Sequence, residues 1–135
     1  MNKLRFLFFS SLLLINFCLQ AQKTEKQSPY IQLIDSDSVF VSAIQNHNIV
    51  VVDFWAIWCK PCQFFLPEYE TVAKTFHKKA SFYKLNYDLC KTTVERYQVA
   101  SIPTIIIFKN GDEVKRYTGL TSKERITIDL QTIIE

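Results

Sequence analysis

The sequence predicts an α/β domain in which a central mixed β-sheet is flanked by helices on both faces. A β-branched apolar run at residues 49–55 is typical of a buried strand. After Cys62, apolar residues recur every three or four positions, which predicts a helix with one buried face. The turn-favouring pair Asn110-Gly111 separates two further runs and indicates a β-hairpin.

The elements are predicted in chain order from the same patterns. Five strands are expected, at residues 30–33, 49–55, 81–86, 104–108 and 113–117. Four helices are expected, at residues 35–46, 60–77, 93–97 and 122–134. The second helix should bend at Pro67, because proline has no N–H to donate to the preceding turn.

The first 21 residues are predicted to be a targeting segment and not part of the fold. Lys3 and Arg5 precede an apolar stretch at residues 6–19, and cleavage after Ala21 is expected for a secretory signal peptide. The alternative is membrane anchoring through residues 6–22, although the apolar stretch is short for a span of about 20 residues. Both interpretations place the domain outside the cytoplasm, in the bacterial periplasm or as a secreted protein.

One domain is expected at residues 30–135, after a polar linker at residues 22–29. Without residues 1–21 the chain has 14 basic and 13 acidic residues. This near-neutral balance gives no basic surface for nucleic acid. We expect a monomer.

Two cysteines lie where the central strand gives way to the long helix. Unpaired N–H groups and the helix dipole favour a thiolate at a helix start, so Cys59 is predicted to be an exposed attacking sulfur. Cys18 would leave with the targeting segment, and the odd number of cysteines that remains argues against a disulfide-stapled scaffold. Asp53 is the one charged residue of the strand, and a buried carboxylate is costly unless it has a partner or a chemical task.

The segment Trp55-Ala-Ile-Trp58-Cys59-Lys-Pro-Cys62, preceded by Val-Asp53-Phe, resembles the active-site segment of the thioredoxin family. The resemblance continues in unbroken order from about residue 30 to the C-terminus. Its further members are Pro67, Lys84 to Asp88, Ile102-Pro103-Thr104, Phe108 to Gly111, and Gly119. It implies the thioredoxin fold and a thiol–disulfide oxidoreductase.

The dithiol cycle assigns a role to each group around the cysteines. Cys59 attacks a substrate disulfide, and Cys62 then resolves the mixed disulfide. Asp53 is predicted to accept the Cys62 proton, since burial raises the pKa of a carboxyl group. The resemblance places Lys84 beside Asp53, where it would modulate that carboxyl. The alternative is a purely structural ion pair.

Lys60 and Pro61, between the two cysteines, are expected to tune the reduction potential. Lys60 replaces the glycine usual in cytoplasmic thioredoxins, and its charge should favour the thiolate and make the couple more oxidising. Pro61 suits the first positions of a helix and fixes the backbone between the sulfurs.

Three residues are predicted to contact substrate. The resemblance implies a cis Ile102–Pro103 bond facing the dithiol, which would present the Ile102 backbone to an extended substrate strand. Trp58 either covers the dithiol as an apolar lid or packs in the core, whereas Trp55 is expected to belong to the core.

The sequence predicts neither a metal site nor a bound cofactor. Cys90 is either a third redox sulfur, a site of glutathionylation or an inert apolar residue.

The favoured function is reduction of protein disulfides, with electrons from a membrane or extracytoplasmic donor. A disulfide oxidase or isomerase is the enzymatic alternative, but the dedicated bacterial oxidases carry a helical insertion for which the span from Cys62 to Pro103 has no room. The non-enzymatic alternatives are a copper(I) carrier and a redox-silent chaperone.

Overall fold

A five-stranded mixed sheet lies at the centre of the fold in the computed structural model, which describes residues 27–135. Its strands are β1 (Ile31–Ile34), β2 (Ile49–Trp55), β3 (Ser81–Asn86), β4 (Thr104–Lys109) and β5 (Asp112–Thr118). The helices of this part of the chain are α1 (Asp37–Asn46), α2 (Lys60–Phe76), α3 (Lys91–Arg96) and α4 (Lys123–Ile134).

The predicted targeting segment and most of the predicted linker lie outside the described residues. Within residues 27–135, no helix has the length and apolar character needed to cross a membrane.

The strands are arranged in the order β1-β3-β2-β4-β5. β2 is parallel to β3 and antiparallel to β4. β1 and β5 are the edge strands, and the three strands between them are paired on both sides. The predicted mixed sheet with helices on both faces is therefore confirmed.

Alternate residues of β2 belong to two different apolar cores, because successive side chains of a strand point to opposite faces. Ile49 and Val51 pack in a cluster with side chains of α2 and α4. Val50, Val52 and Phe54 pack in a second cluster with side chains of α1 and α3. By this alternation Asp53 lies on the face covered by α2, the helix that carries Cys62.

The helix α3 starts two residues earlier than its predicted position. Cys90 is the N-cap residue and makes no side-chain cap bond. Instead, the Asp37 carboxylate accepts hydrogen bonds from the backbone N and Oγ1 of Thr93, at 2.7 and 2.5 Å. A cap from a residue 56 positions away leaves no local signal in the sequence.

The predicted hairpin is confirmed. Asn110 and Gly111 connect β4 to β5 with φ angles of 54° and 87°, as a two-residue hairpin turn requires. Immediately after β5, the backbone N of Gly119 donates a hydrogen bond of 2.8 Å to the Pro103 carbonyl oxygen. The hairpin thereby fixes the chain that leads into β4 beside the cysteine pair.

Candidate active site

The cysteine pair occupies the junction of β2 and α2, as predicted. Cys59 and Cys62 are joined by a disulfide, with an S–S distance of 2.01 Å and a Cα–Cα distance of 5.4 Å. Cys59 is the N-cap of α2, and its sulfur accepts a hydrogen bond of 3.2 Å from the backbone N of Cys62. Donors at a helix start stabilise negative charge on this sulfur when the pair is reduced. Lys60 and Pro61 follow as the exposed first residues of the helix.

The prediction that Cys59 is exposed is wrong for this oxidised pair. Cys59 is 3% exposed and Cys62 is 2% exposed. Both cysteines pack in a small apolar cluster with Ala56, against which Trp55, Tyr87 and Ile102 are also placed. Because these side chains come from segments far apart in the chain, the burial was not visible in the sequence. A substrate must therefore fit closely against this cluster to reach a sulfur.

The Ile102–Pro103 peptide bond is cis, as the resemblance implied. Ile102 is partly buried and packs against the cysteine cluster, whereas Pro103 is buried. The cis-proline segment therefore lies against the disulfide, where substrate contact was predicted.

Trp58 is 61% exposed, so the alternative in which it packs in the core is wrong. Its indole Nε1 donates a hydrogen bond of 2.8 Å to the Asp88 carboxylate. The Trp58 and Tyr87 rings are nearly perpendicular, with their centroids 6.4 Å apart. Asp88 and Tyr87 were not among the predicted site residues, although they lie in the quoted Lys84 to Asp88 segment.

Five large apolar side chains that belong to the site segments, or follow them directly in sequence, are exposed, and we call this set the apolar collar. Its members are Ile57 (77% exposed), Trp58 (61%), Phe64 (78%), Leu89 (59%) and Leu120 (65%). Leu89 follows the hydrogen-bond partner of Trp58, and Leu120 follows the glycine bonded to Pro103. Phe64 follows Gln63, whose side chain donates to the Ile57 carbonyl oxygen at 2.9 Å. Exposed apolar patches mark surfaces that contact other molecules. Of this set only Trp58 was predicted to contact substrate, since the exposure of the other four depends on the tertiary fold.

Asp53 is completely buried, as predicted, and neither carboxylate oxygen has a hydrogen-bond partner. Burial raises the pKa of Asp53 to about 7, and the charge of Lys84 acts in the opposite direction. Asp53 and Lys84 are register partners on β2 and β3, so the neighbouring position implied by the resemblance is confirmed. A carboxyl group with a pKa near neutrality can gain and lose a proton under physiological conditions.

Two further side chains, Trp55 and Tyr69, contact groups that surround Asp53. Lys84 places its Nζ 4.0 Å from the centre of the Trp55 ring. The Tyr69 hydroxyl, on α2, lies 2.9 Å from the carbonyl oxygens of both Val51 and Tyr83 and donates to them. Burial, followed by the charge of Asp53, raises the pKa of Tyr69 well above its usual value. Tyr69 therefore stays a neutral donor that fastens α2 to the two central strands.

Cys90 is buried in the second apolar core, away from the cysteine cluster. Its sulfur lies 3.8 Å from the Ile34 carbonyl oxygen. Burial raises the pKa of the Cys90 thiol to about 11, and nearby Asp37 and Asp35 act in the same direction. These properties favour an inert thiol over a redox-active one. Across residues 27–135, no group of three or more metal-binding side chains is gathered in one place.

Comparison with known proteins gives one consistent family. The family model described as Thioredoxin matches residues 31–132. A thioredoxin of Alicyclobacillus acidocaldarius is 38% identical over 100 residues, which cover 74% of this chain and 95% of that protein. A thioredoxin of Staphylococcus epidermidis is 41% identical over 91 residues, covering 67% of this chain and 86% of that protein.

Solved structures agree with the sequence comparison. A point mutant of a thioredoxin from Halobacterium salinarum superposes with a TM-score of 0.73 at 25% identity, covering 82% of this chain and 96% of that chain. The Malassezia sympodialis thioredoxin has a TM-score of 0.65 at 30% identity, covering 77% and 87%. With the matched fold and a Cys59–Cys62 pair in a Trp-Cys-x-x-Cys setting, the chain belongs to the thioredoxin family and is a thiol–disulfide oxidoreductase.

Proposed function

We propose that this protein reduces disulfides of other proteins outside the cytoplasm, and that a membrane or extracytoplasmic donor returns it to the dithiol form. The observation that carries the reductive direction is the compact thioredoxin-like span between the cysteines and the cis-proline. Between the end of α2 and Pro103, the only regular elements are the six-residue strand β3 and the six-residue helix α3. This span has no room for the helical insertion that the dedicated bacterial oxidases carry. The uninterrupted family match over residues 31–132 supports the same direction.

The first step of the proposed cycle begins with the reduced protein. The Cys59 thiolate attacks one sulfur of a substrate disulfide, forms a mixed disulfide and expels the other substrate sulfur as a thiolate, which takes a proton from water. The helix-start position of Cys59 and the neighbouring charge of Lys60 support the thiolate form.

In the second step, Cys62 loses its proton and attacks the sulfur of Cys59. The substrate leaves as a second thiolate, and the two protein sulfurs form the disulfide seen in this structure. Two electrons have then moved from the dithiol to the substrate. Asp53 is proposed to accept the Cys62 proton, with a pKa of about 7 as support. The carboxylate form is required, so this assistance decreases as the pH falls below about 7.

The apolar collar supports protein segments as substrates. The five side chains of the collar are each more than half exposed, whereas the disulfide itself is almost fully buried. A protein segment with apolar residues next to its disulfide can cover this collar while it reaches the sulfur.

One observation favours the opposite direction of electron flow. Lys60 is the first residue of α2 and adds positive charge beside Cys59. Stabilising the reduced thiolate makes a couple more oxidising. An oxidase or isomerase is therefore the second candidate, and the reduction potential separates the two.

The roles of the two cysteines predict different defects. Cys59→Ser should abolish catalysed insulin reduction, so that precipitation proceeds at the rate of dithiothreitol alone, because no attacking sulfur remains. Cys62→Ser that has been reduced and freed of dithiothreitol should instead accumulate a mixed disulfide when mixed with insulin, visible on a non-reducing gel. Cys90→Ser is the control and should reduce insulin as fast as the wild type. If Cys59→Ser reduced insulin as fast as the wild type, the proposed cycle would be wrong.

The proposed role of Asp53 predicts a pH dependence of the second step. Reduced protein carrying Cys90→Ser is mixed with a chromogenic aromatic disulfide, and the second equivalent of coloured thiolate reports the attack by Cys62. This rate should rise with pH through about 7. Asp53→Asn should lower it by about a hundredfold at neutral pH and remove that inflection.

Asp112→Asn, in the hairpin, is the matched control and should leave the rate unchanged. An Asp53→Asn protein that kept both the rate and the inflection would rule out Asp53 as the proton acceptor.

The proposed location is tested by expressing the full chain in a bacterium with two membranes. Once the outer membrane is permeabilised and a membrane-impermeant reductant has opened the Cys59–Cys62 disulfide, the protein should react with a membrane-impermeant maleimide while the inner membrane stays intact. Mass spectrometry should show a mature chain beginning after Ala21 if the segment is cleaved. A chain lacking residues 1–21 is the control and should stay protected. Protection of the full chain as well would contradict export.

A further inference from the structure

Trp55 follows the buried carboxyl group on the same strand and packs against the cysteine cluster. It is the last residue of β2, two positions after Asp53 and therefore on the same face of the strand. Its ring is partly buried and packs against the cluster formed by Ala56 and the two cysteines. The indole Nε1 is buried without a hydrogen-bond partner, so packing and the ring face fix this side chain.

The ring face of Trp55 carries the ammonium group of Lys84. Lys84 is the register partner of Asp53 on β3, and its Nζ lies 4.0 Å from the Trp55 ring centre. Tryptophan offers the strongest cation–π attraction among the aromatic side chains. A partly buried lysine stem can otherwise extend its head toward water. The Trp55 ring therefore keeps the Lys84 ammonium on the face of the sheet that carries Asp53.

The groups around Asp53 come from three elements. Lys84 faces it from β3, and α2 contributes the Tyr69 phenol. From β4 its register partner is Ile105, which carries no charge. The Lys84 charge lowers the pKa of Asp53, against the larger upward effect of burial. Coulomb attraction weakens with distance and with water, so this effect depends on where the ammonium is held.

We propose that Trp55 is a positioning residue that holds the Lys84 ammonium near Asp53 and so sets the proton affinity of that carboxyl group. The inference rests on the proposed role of Asp53 as the proton acceptor for Cys62. Without the indole face, the ammonium moves toward water and Asp53 keeps its proton to higher pH. The Cys62 step then needs a higher pH to reach the same rate.

The test is a direct titration of the Asp53 carboxyl carbon by NMR in the full, oxidised chain. Trp55→Leu and Lys84→Met should each move the Asp53 titration to higher pH. The double variant should titrate no higher than Lys84→Met alone, because Trp55 acts through Lys84. Phenylalanine keeps an apolar ring but attracts a cation less strongly than tryptophan does. Trp55→Phe should therefore raise the pH of the Asp53 titration by a smaller amount.

The matched control is Phe40→Leu, a substitution in the core on the other side of the sheet. It loosens apolar packing and should leave the Asp53 titration in place. An unmoved or lowered titration in Trp55→Leu, or a Trp55→Leu effect that persists in full beside Lys84→Met, would overturn the proposal. Where Trp55→Leu does not fold, an unmoved titration in Trp55→Phe overturns it. The oxidised chain performs no catalysis, so this outcome is independent of the insulin assay.

Discussion

A buried carboxyl group in the middle of the central strand is the constraint on which the active site depends. Asp53 is shielded from water and lacks a hydrogen-bond partner, and burial raises its pKa from 3.8 to about 7. The folded state thus holds a proton that the unfolded chain releases between these pH values, so folding stability falls as the pH rises through this window. Above pH 7, this difference in pKa lowers the free energy of unfolding by about 4 kcal/mol. A cost of this size at one position is consistent with a chemical task for Asp53.

The same strand connects that carboxyl group to the sulfur chemistry. β2 is paired on both sides and packed on both faces, so its position is fixed by the whole core. It ends at Trp55, and the chain then turns into α2 with Cys59 as the N-cap. The helix start supplies donors to one sulfur, while the helix brings Cys62 to the face on which Asp53 lies. The cis Ile102–Pro103 segment packs against the cysteine pair through Ile102.

Features encoded in short stretches of sequence could be predicted, and features that depend on distant segments could not. The apolar run of β2, the spacing of α2 and the Asn110-Gly111 turn each express a local preference. The cis bond and the Asp53–Lys84 pairing followed from the family resemblance. The burial of Cys59 and the Trp58–Asp88 hydrogen bond needed the structure, since each joins segments about 30 or more positions apart. The Lys84–Trp55 contact likewise depends on strand register.

The reduction potential of the Cys59–Cys62 couple distinguishes a reductase from a disulfide oxidase or isomerase. It is measured by equilibrating the full chain, carrying Cys90→Ser, with glutathione or dithiothreitol of known ratio. A reductase should give a value of about −270 to −230 mV, which is typical of thioredoxins and neighbouring reductases. A value of about −180 to −120 mV, in the range of disulfide isomerases and oxidases, would contradict the proposed reductase.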